Sequence, residues 1–153
     1  MKKFCMVVAL LVAACGALPT MAATRQGLIH TTFSAPQVLR IMQAQGYTVR
    51  IDRDGDIEWT MKAGSSTYKG YITFYKDNSS IQFFIGFRAP DVTLQKHNQF
   101  NKDYRFGRSF MPRPGSARLE ADLDFDGGIS EERLIDFFRT CQSLFQTWYE
   151  KVL

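Results

Sequence analysis

Three aspartates in the last third of the chain have the spacing of a calcium-binding loop. Asp122, Asp124 and Asp126 are followed by Gly127, which matches the first half of an EF-hand loop. The twelfth position, where such a loop needs a bidentate glutamate, is Arg133. The residues upstream alternate between apolar and acidic types, which indicates a strand rather than the helix that precedes a calcium loop. We therefore predict a strand with acidic side chains on one face and no metal site.

We call Glu120, Asp122, Asp124 and Asp126 the acidic stripe, and it is the candidate binding site in this sequence. Four carboxylates on one strand face repel each other unless cations compensate them. One interpretation is a solvated sheet face that nearby arginines partly neutralise, with candidates at Arg105, Arg108, Arg113 and Arg118. A second is a docking surface for a basic partner, and a third is a site for a small ligand or cation at the strand end.

Residues for catalysis are scarce. The two histidines are His30, in a lead-in segment, and His97, which shares a helical face with Leu94 and Phe100. The simplest interpretation of His97 is a partly buried histidine with its hydrogen bonds satisfied, and it is the one plausible base if the protein is an enzyme. The sequence shows no Ser-His-Asp ordering, glycine-rich phosphate loop or pair of His and Cys metal ligands. We predict a noncatalytic protein without catalytic residues or a cofactor.

The N terminus has the three regions of a secretory signal peptide. Two lysines precede an apolar run over residues 4–18, and small residues follow. We expect residues 1–23 to be removed by cleavage after Ala22 or Ala23, which would place the mature chain in the periplasm. The alternative is a lipoprotein signal, in which Cys15 is acylated and becomes the first mature residue.

The remaining residues, 24–153, have the length of one domain with one core, and no membrane-spanning segment is predicted in them. Removal of two lysines lowers the net charge from +4 to +2, so charge gives no reason to expect a nucleic-acid partner. Cys141 is the one cysteine left after ordinary cleavage, and no internal disulfide can form. A hydrophobic core rich in phenylalanine must therefore hold the domain together.

Hydrophobic periodicity gives the order of elements. A helix capped by Ser34 ends at Gly46, and residues 47–88 then follow the period of two expected for two hairpins. A short helix capped by Asp91, a pair of strands over 105–125 and a long helix capped by Ser130 complete the chain. The predicted order is α-β-β-β-β-α-β-β-α. This order is typical of an α+β domain in which helices pack on an antiparallel sheet.

The middle strands carry apolar residues on both faces. Tyr71 and Tyr75 alternate with Ile72 and Phe74, and Phe84 alternates with its apolar neighbours. Helices on one face and loops on the other are the commoner arrangement. The alternative is an aromatic patch left open for a partner.

The chain from residue 68 onward resembles the YbjN domain family of bacterial proteins, described as sensory transduction regulators. The resemblance is carried by Asn98, Asn101, Arg105 and Phe106 and by three stretches, "SIQFFIGF" at 80–87, "HNQFNKDYRFGRSF" at 97–110 and "LEADLDFDGGISEERLIDFF" at 119–138. The helix and hairpin upstream fit the same order of elements.

This resemblance implies a fold similar to that of type III secretion chaperones, and it brings no catalytic residues with it. We expect structural roles for the signature residues: Asn98 and Asn101 would join the short helix to the next strand, Arg105 and Phe106 would belong to that strand, and Gly127 and Gly128 would permit a sharp turn. The prediction is therefore an exported regulatory module that binds another protein of the cell envelope. The alternative is a periplasmic sensor that binds a small ligand or cation at Asp122, Asp124 and Asp126.

Overall fold

The computed structural model describes residues 28–153, and the predicted signal peptide lies outside them. Three helices and eight strands follow in the order β1 (Ile29–His30), α1 (Ala35–Ala44), β2 (Thr48–Ile51), β3 (Ile57–Ala63), β4 (Ser66–Phe74), β5 (Ser80–Arg88), α2 (Leu94–Asp103), β6 (Arg108–Phe110), β7 (Ser116–Asp124), β8 (Ile129–Ser130) and α3 (Glu131–Lys151). The predicted α+β class and order are confirmed, with two short strands added. No helix within 28–153 is long and apolar enough to cross a membrane.

Six strands form one antiparallel sheet in the spatial order β2-β3-β4-β5-β7-β6. Alternate side chains of these strands point to opposite faces. The apolar set, which includes Trp59, Phe83 and Leu119, points to the face on which the helices pack. The result is a layer of helices on one face of a sheet, with the core between them.

The long helix α3 supplies most of the helical side of the core. Ser130 Oγ accepts a hydrogen bond from the Arg133 backbone N–H at 3.2 Å, which confirms the predicted cap. The apolar face is buried as its periodicity predicts, at Leu134, Phe137, Phe138, Cys141, Leu144, Phe145 and Trp148. Each large side chain removed from water in this way contributes about 1.5–3 kcal/mol. Burial also raises the pKa of the Cys141 thiol well above its usual value, so this cysteine behaves as a small apolar residue.

The other two helices begin with different devices. At α1, Gln37 Oε1 accepts the Ser34 backbone N–H at 2.8 Å, as the capping-box pattern predicts. At α2 the predicted cap was wrong: Thr93, not Asp91, caps the helix and accepts the Lys96 N–H at 3.4 Å. The preceding chain forms a turn instead, because Val92 is buried and its N–H bonds to a carbonyl three residues back.

A second, two-stranded sheet joins β1 to β8 and was not predicted. Ile29 pairs with Ser130, and His30 pairs with Ile129. Strands of two residues are too short to show periodicity. The turn before β8 is made by Gly127 and Gly128, with φ of +74° and +85°, a region that disfavours residues with a Cβ.

Gly128→Ala should release β1, whereas Gly127→Ala should not. Both substitutions place alanine at positive φ, which costs about 1–2 kcal/mol. A Cβ on residue 128 would also lie 2.3 Å from Ile29 Cγ2, while a Cβ on residue 127 would have no atom within 4 Å. Amide hydrogen exchange should show loss of protection in β1 for Gly128→Ala alone. Equal protection of β1 in the two variants would contradict this packing.

Candidate functional site

The face of the six-stranded sheet that points away from the core is covered by no helix within residues 28–153. We call it the open face. It carries the side chains that alternate with the core set, including Tyr71 and Phe84, which are half-buried. A helix layer on one face was predicted correctly. The aromatic pair of the other face lies within a polar surface that the sequence alone did not show.

One row of side chains crosses the open face through all six strands. The register pairs Arg50 with Glu58, Glu58 with Tyr71, Tyr71 with Phe84, Phe84 with Glu120 and Glu120 with Arg108. We call this set the central row. Its order is cation, acid, aromatic, aromatic, acid, cation. An aromatic centre is thus flanked on each side by an ion pair.

Glu58 is held by two cations although it is 8% exposed. Arg50 donates two hydrogen bonds to its carboxylate, from Nε at 3.0 Å and Nη2 at 2.8 Å, and Lys69 donates a third at 3.2 Å. The bonds from Arg50, with Lys69 next among the partners, hold the Glu58 pKa below its usual value. The carboxylate is therefore charged and matched by cations.

Glu120 repeats this arrangement on the other side of the row and is 5% exposed. Its Oε2 atom accepts a hydrogen bond from Arg108. Its Oε1 atom lies 2.7 Å from Arg118 Nε, an ion-pair contact that lacks hydrogen-bond alignment, since that nitrogen has no hydrogen-bond partner. Glu120 is thus withdrawn from solvent and compensated by two of the arginines that the sequence suggested.

The aromatic centre is a short stack that Arg118 extends. The rings of Tyr71 and Phe84 lie 5.3 Å apart between centroids with an interplanar angle of 22°. The Arg118 guanidinium carbon lies 4.0 Å from the centre of the Phe84 ring, within the range of a cation–π interaction. Arg118 therefore contacts both the aromatic stack and Glu120, which fixes the position of the two rings.

The rest of the acidic stripe is exposed and lies to one side of the central row. Asp122 and Asp124 end β7, and Asp126 follows the strand. Asp122 accepts a hydrogen bond from Gln82 at 2.8 Å, and Asp124 accepts the Asp126 N–H at 2.9 Å. The predicted strand is confirmed, so the helix that precedes an EF-hand loop is replaced by β7. Within 28–153 no three His, Cys, Asp or Glu side chains are grouped as metal ligands.

Charge is separated along the strand direction of the open face. At one end a cleft of about 550 Å³ is lined by four cations and no acid, Lys69, Arg88, Arg113 and Arg118. At the other end a cleft of about 570 Å³ contains Asp122 and Asp124 and no cation. We call these the basic end and the acidic end. The central row divides them.

The β2–β3 turn adds further carboxylates beside the acidic end. Asp52, Asp54 and Asp56 line a cleft that reaches Tyr71 and Phe84 on the open face. Burial, with repulsion from the other two aspartates, raises the Asp56 pKa above its usual value. The acidity here is only partly compensated by neighbouring cations.

His97 lies on the core side of the sheet, in a buried polar chain, and is 2% exposed. Trp148 Nε1 donates to Ser109 Oγ at 2.6 Å, and Ser109 Oγ lies 2.6 Å from His97 Nδ1. Since Trp can only donate, the serine hydroxyl is free to donate to an unprotonated Nδ1. The prediction that the hydrogen bonds of His97 are satisfied was wrong, because the buried Nε2 atom has no hydrogen-bond partner within residues 28–153. Burial lowers the His97 pKa. A serine and a histidine are in contact here, but neither lines any of the clefts described above.

Of the residues that carry the family resemblance, some make structural hydrogen bonds and others are exposed. The Asn101 side chain donates to the Ser109 carbonyl at 2.8 Å and accepts the Ser109 N–H at 2.7 Å, which joins α2 to β6. Asn98 is exposed on α2. Phe106 is 73% exposed and has a φ of +70°, unusual for a bulky residue, with the Arg105 guanidinium 5.4 Å from its ring centre. Both precede β6 rather than belonging to it.

Two comparisons with known proteins find the same family. The model of the YbjN family, described as "Putative bacterial sensory transduction regulator", matches residues 34–153. The crystal structure of "YbjN, a putative transcription regulator from E. coli" aligns with a TM-score of 0.59 at 10% identity, over 82% of this chain and 99% of that one. At this identity the alignment shows a shared fold. No curated protein matches the sequence.

The buried His97 predicts a specific dependence of stability on pH. Its pKa is lower in the folded chain than the ordinary 6.5, so the unfolded chain binds more protons as the pH falls below that value. The free energy of unfolding should therefore fall with pH from about 6.5 downward and be fully retained above it. Urea titrations of the wild type and of His97→Gln should show this slope only in the wild type.

His30→Gln is the matched control, because His30 is the other histidine of the chain. It should keep the wild-type slope. If His30→Gln removes the slope and His97→Gln keeps it, the assignment to the buried polar chain is wrong.

Proposed function

The chain belongs to the YbjN family, and on that basis we propose that it is a noncatalytic regulatory module of the bacterial cell envelope that works by binding another protein at its open face. The family description names a regulator. The central row is the observation that carries the binding role. It presents a fixed aromatic centre between two compensated glutamates on a surface without a covering helix in 28–153.

The composition of the open face suits recognition of a protein surface. Tyrosine, phenylalanine and arginine are enriched among residues that dominate binding energy at interfaces. Tyr71 and Phe84 offer partly exposed rings that are already ordered by stacking and by Arg118, so binding would lose little side-chain entropy. The charges around them would set the orientation of a partner. The resemblance to secretion chaperones, which is an analogy of fold, is consistent with a polypeptide partner.

The binding role is favoured over a cation sensor at Asp122, Asp124 and Asp126. The first two of these carboxylates already accept hydrogen bonds from Gln82 and from the Asp126 backbone N–H. It is also favoured over catalysis by His97, since that side chain is buried among Ser109 and the core. Reactions that need a base require it within reach of a substrate.

Photo-cross-linking from the open face tests this role. A photoreactive benzoylphenylalanine at position 71 should yield protein adducts in the periplasm, because it would sit at the centre of the interface. The same residue at position 142, which is exposed on α3, is the control and should yield few. Adducts from position 142 alone would contradict binding at the open face. Loss of the position-71 adducts on chelation would instead favour the cation-binding alternative.

The export part of the proposal rests on the signal sequence and is tested by the mass of the purified protein. A chain that begins after Ala22 or Ala23 is expected after ordinary cleavage. A chain that begins at an acylated Cys15 would establish the lipoprotein alternative. A full-length chain that retains Met1 in a cell fractionated without leakage would contradict export.

A further inference from the structure

We propose that the open face binds a second copy of this chain, in a two-fold dimer that places the basic end of each copy on the acidic end of the other. This inference rests on the proposed function, since it assigns an occupant to the same surface. The second copy would occupy the face when no other partner is bound.

The open face is self-complementary in charge, because its basic end and its acidic end lie on opposite sides of the central row. A two-fold axis along that row, perpendicular to the strands, turns one face onto the other and reverses the strand direction. On β7, Arg118 and Asp122 lie two residues to either side of Glu120. The axis therefore places Arg118 of each copy opposite Asp122 of the other. Two ion pairs follow from one operation, as in every isologous interface.

The outer positions follow the same relation. On β5, Arg88 and Ser80 lie four residues to either side of Phe84, and Ser80 pairs with Asp124 of β7. Arg88 would therefore lie beside Asp124 of the second copy, and Arg113, which lines the same basic cleft, extends this contact. Neither arginine forms an ion pair within residues 28–153, whereas Arg118 and Lys69 are partly engaged by glutamates. Arg88 and Arg113 are thus the cations most available to another chain.

The alternative two-fold axis, parallel to the strands, is unfavourable. It would place basic end on basic end and acidic end on acidic end, and like charges brought together in this way oppose association. On the favoured axis the central row meets its own copy. Tyr71 and Phe84 would then contact the same rings of the second chain, and the two glutamates there are already compensated by cations.

The area of the face is sufficient for a dimer. Six strands spaced about 4.8 Å apart, with a rise of about 3.3 Å per residue in the strands, give a face of about 600 Å². Two such faces would bury about 1,200 Å², which is at the lower limit for stable interfaces. Two twisted sheets that pack face to face have their strands about 30° apart. Opposite charges of the two copies would therefore align best near the central row. A polar face of this size predicts a weak dimer that salt dissociates.

Reciprocal charge reversal tests the dimer and its register. The first variant is Arg88→Glu with Arg113→Glu, and the second is Asp124→Lys. Both variants leave the proposed Arg118–Asp122 pairs unchanged. Each alone should weaken self-association by at least about a hundredfold, because both ends of the dimer would then bring like charges together. A mixture of the two variants should form a heterodimer, since every contact between them is again attractive. Sedimentation velocity measures the association of each variant and of their mixture, with protein purified from cells that express the full chain.

The control is Arg40→Glu with Lys102→Glu on the helical layer. It changes the net charge by the same amount as Arg88→Glu with Arg113→Glu. It should dimerise as the wild type does. A wild type that stays monomeric at about 100 μM in low salt would overturn the proposal, as would a dimer unaffected by either variant or variants that fail to combine. Photo-cross-linking from position 71 separates these failures from failure of the proposed function. Adducts with other proteins but none with the chain itself would leave the binding role in place and remove the dimer.

Discussion

The register between β5 and β7 is the constraint on which both faces of the sheet depend. Nine residue pairs join these strands, from Ser80 with Asp124 to Arg88 with Ser116. The period of side chains along a strand is two, so a slip of β7 by one residue would send Leu119 to solvent and Glu120 into the core. The hydrophobic core therefore fixes the position of every charge on the open face, and this surface has no independent freedom to rearrange.

The two glutamates of the central row also oppose a change of register, because each is withdrawn from water and needs its neighbouring cations. A carboxylate withdrawn from water destabilises a fold unless opposite charge and hydrogen bonds replace its hydration. Glu58 has these replacements only when β2, β3 and β4 bring Arg50 and Lys69 beside it, and Glu120 only when β6 and β7 bring Arg108 and Arg118. We infer that these clusters act mainly on specificity of pairing, whereas apolar burial supplies most of the stability.

The helices and the hairpins could be predicted from sequence because their signals are local. The periodic face of α3, its Ser130 cap and the alternation in β3 and β5 each depend on residues close in the chain. The central row could not be predicted, since it joins residues from six strands, and their lateral order and register are set by packing. The β1–β8 pair was too short to detect. Exposure of Phe106 was missed for a different reason, because an aromatic residue is usually assigned to the core.

An open face that a second copy and another partner would share provides a physical basis for regulation. Binding of one occupant excludes the other, so the apparent affinity for the partner is reduced by the fraction of chains held in the dimer. A strong dimer would make the face unavailable to another partner. A small polar face, which gives a weak dimer, therefore suits regulation by competition better than an apolar face would. The exchange between a second copy and another partner would also respond to ionic strength, because the charges at the two ends of the face orient the two copies. The aromatic centre can contact either occupant. In this scheme the family's regulatory character requires no catalytic group, since a surface with two mutually exclusive occupants already converts the concentration of one into the availability of the other.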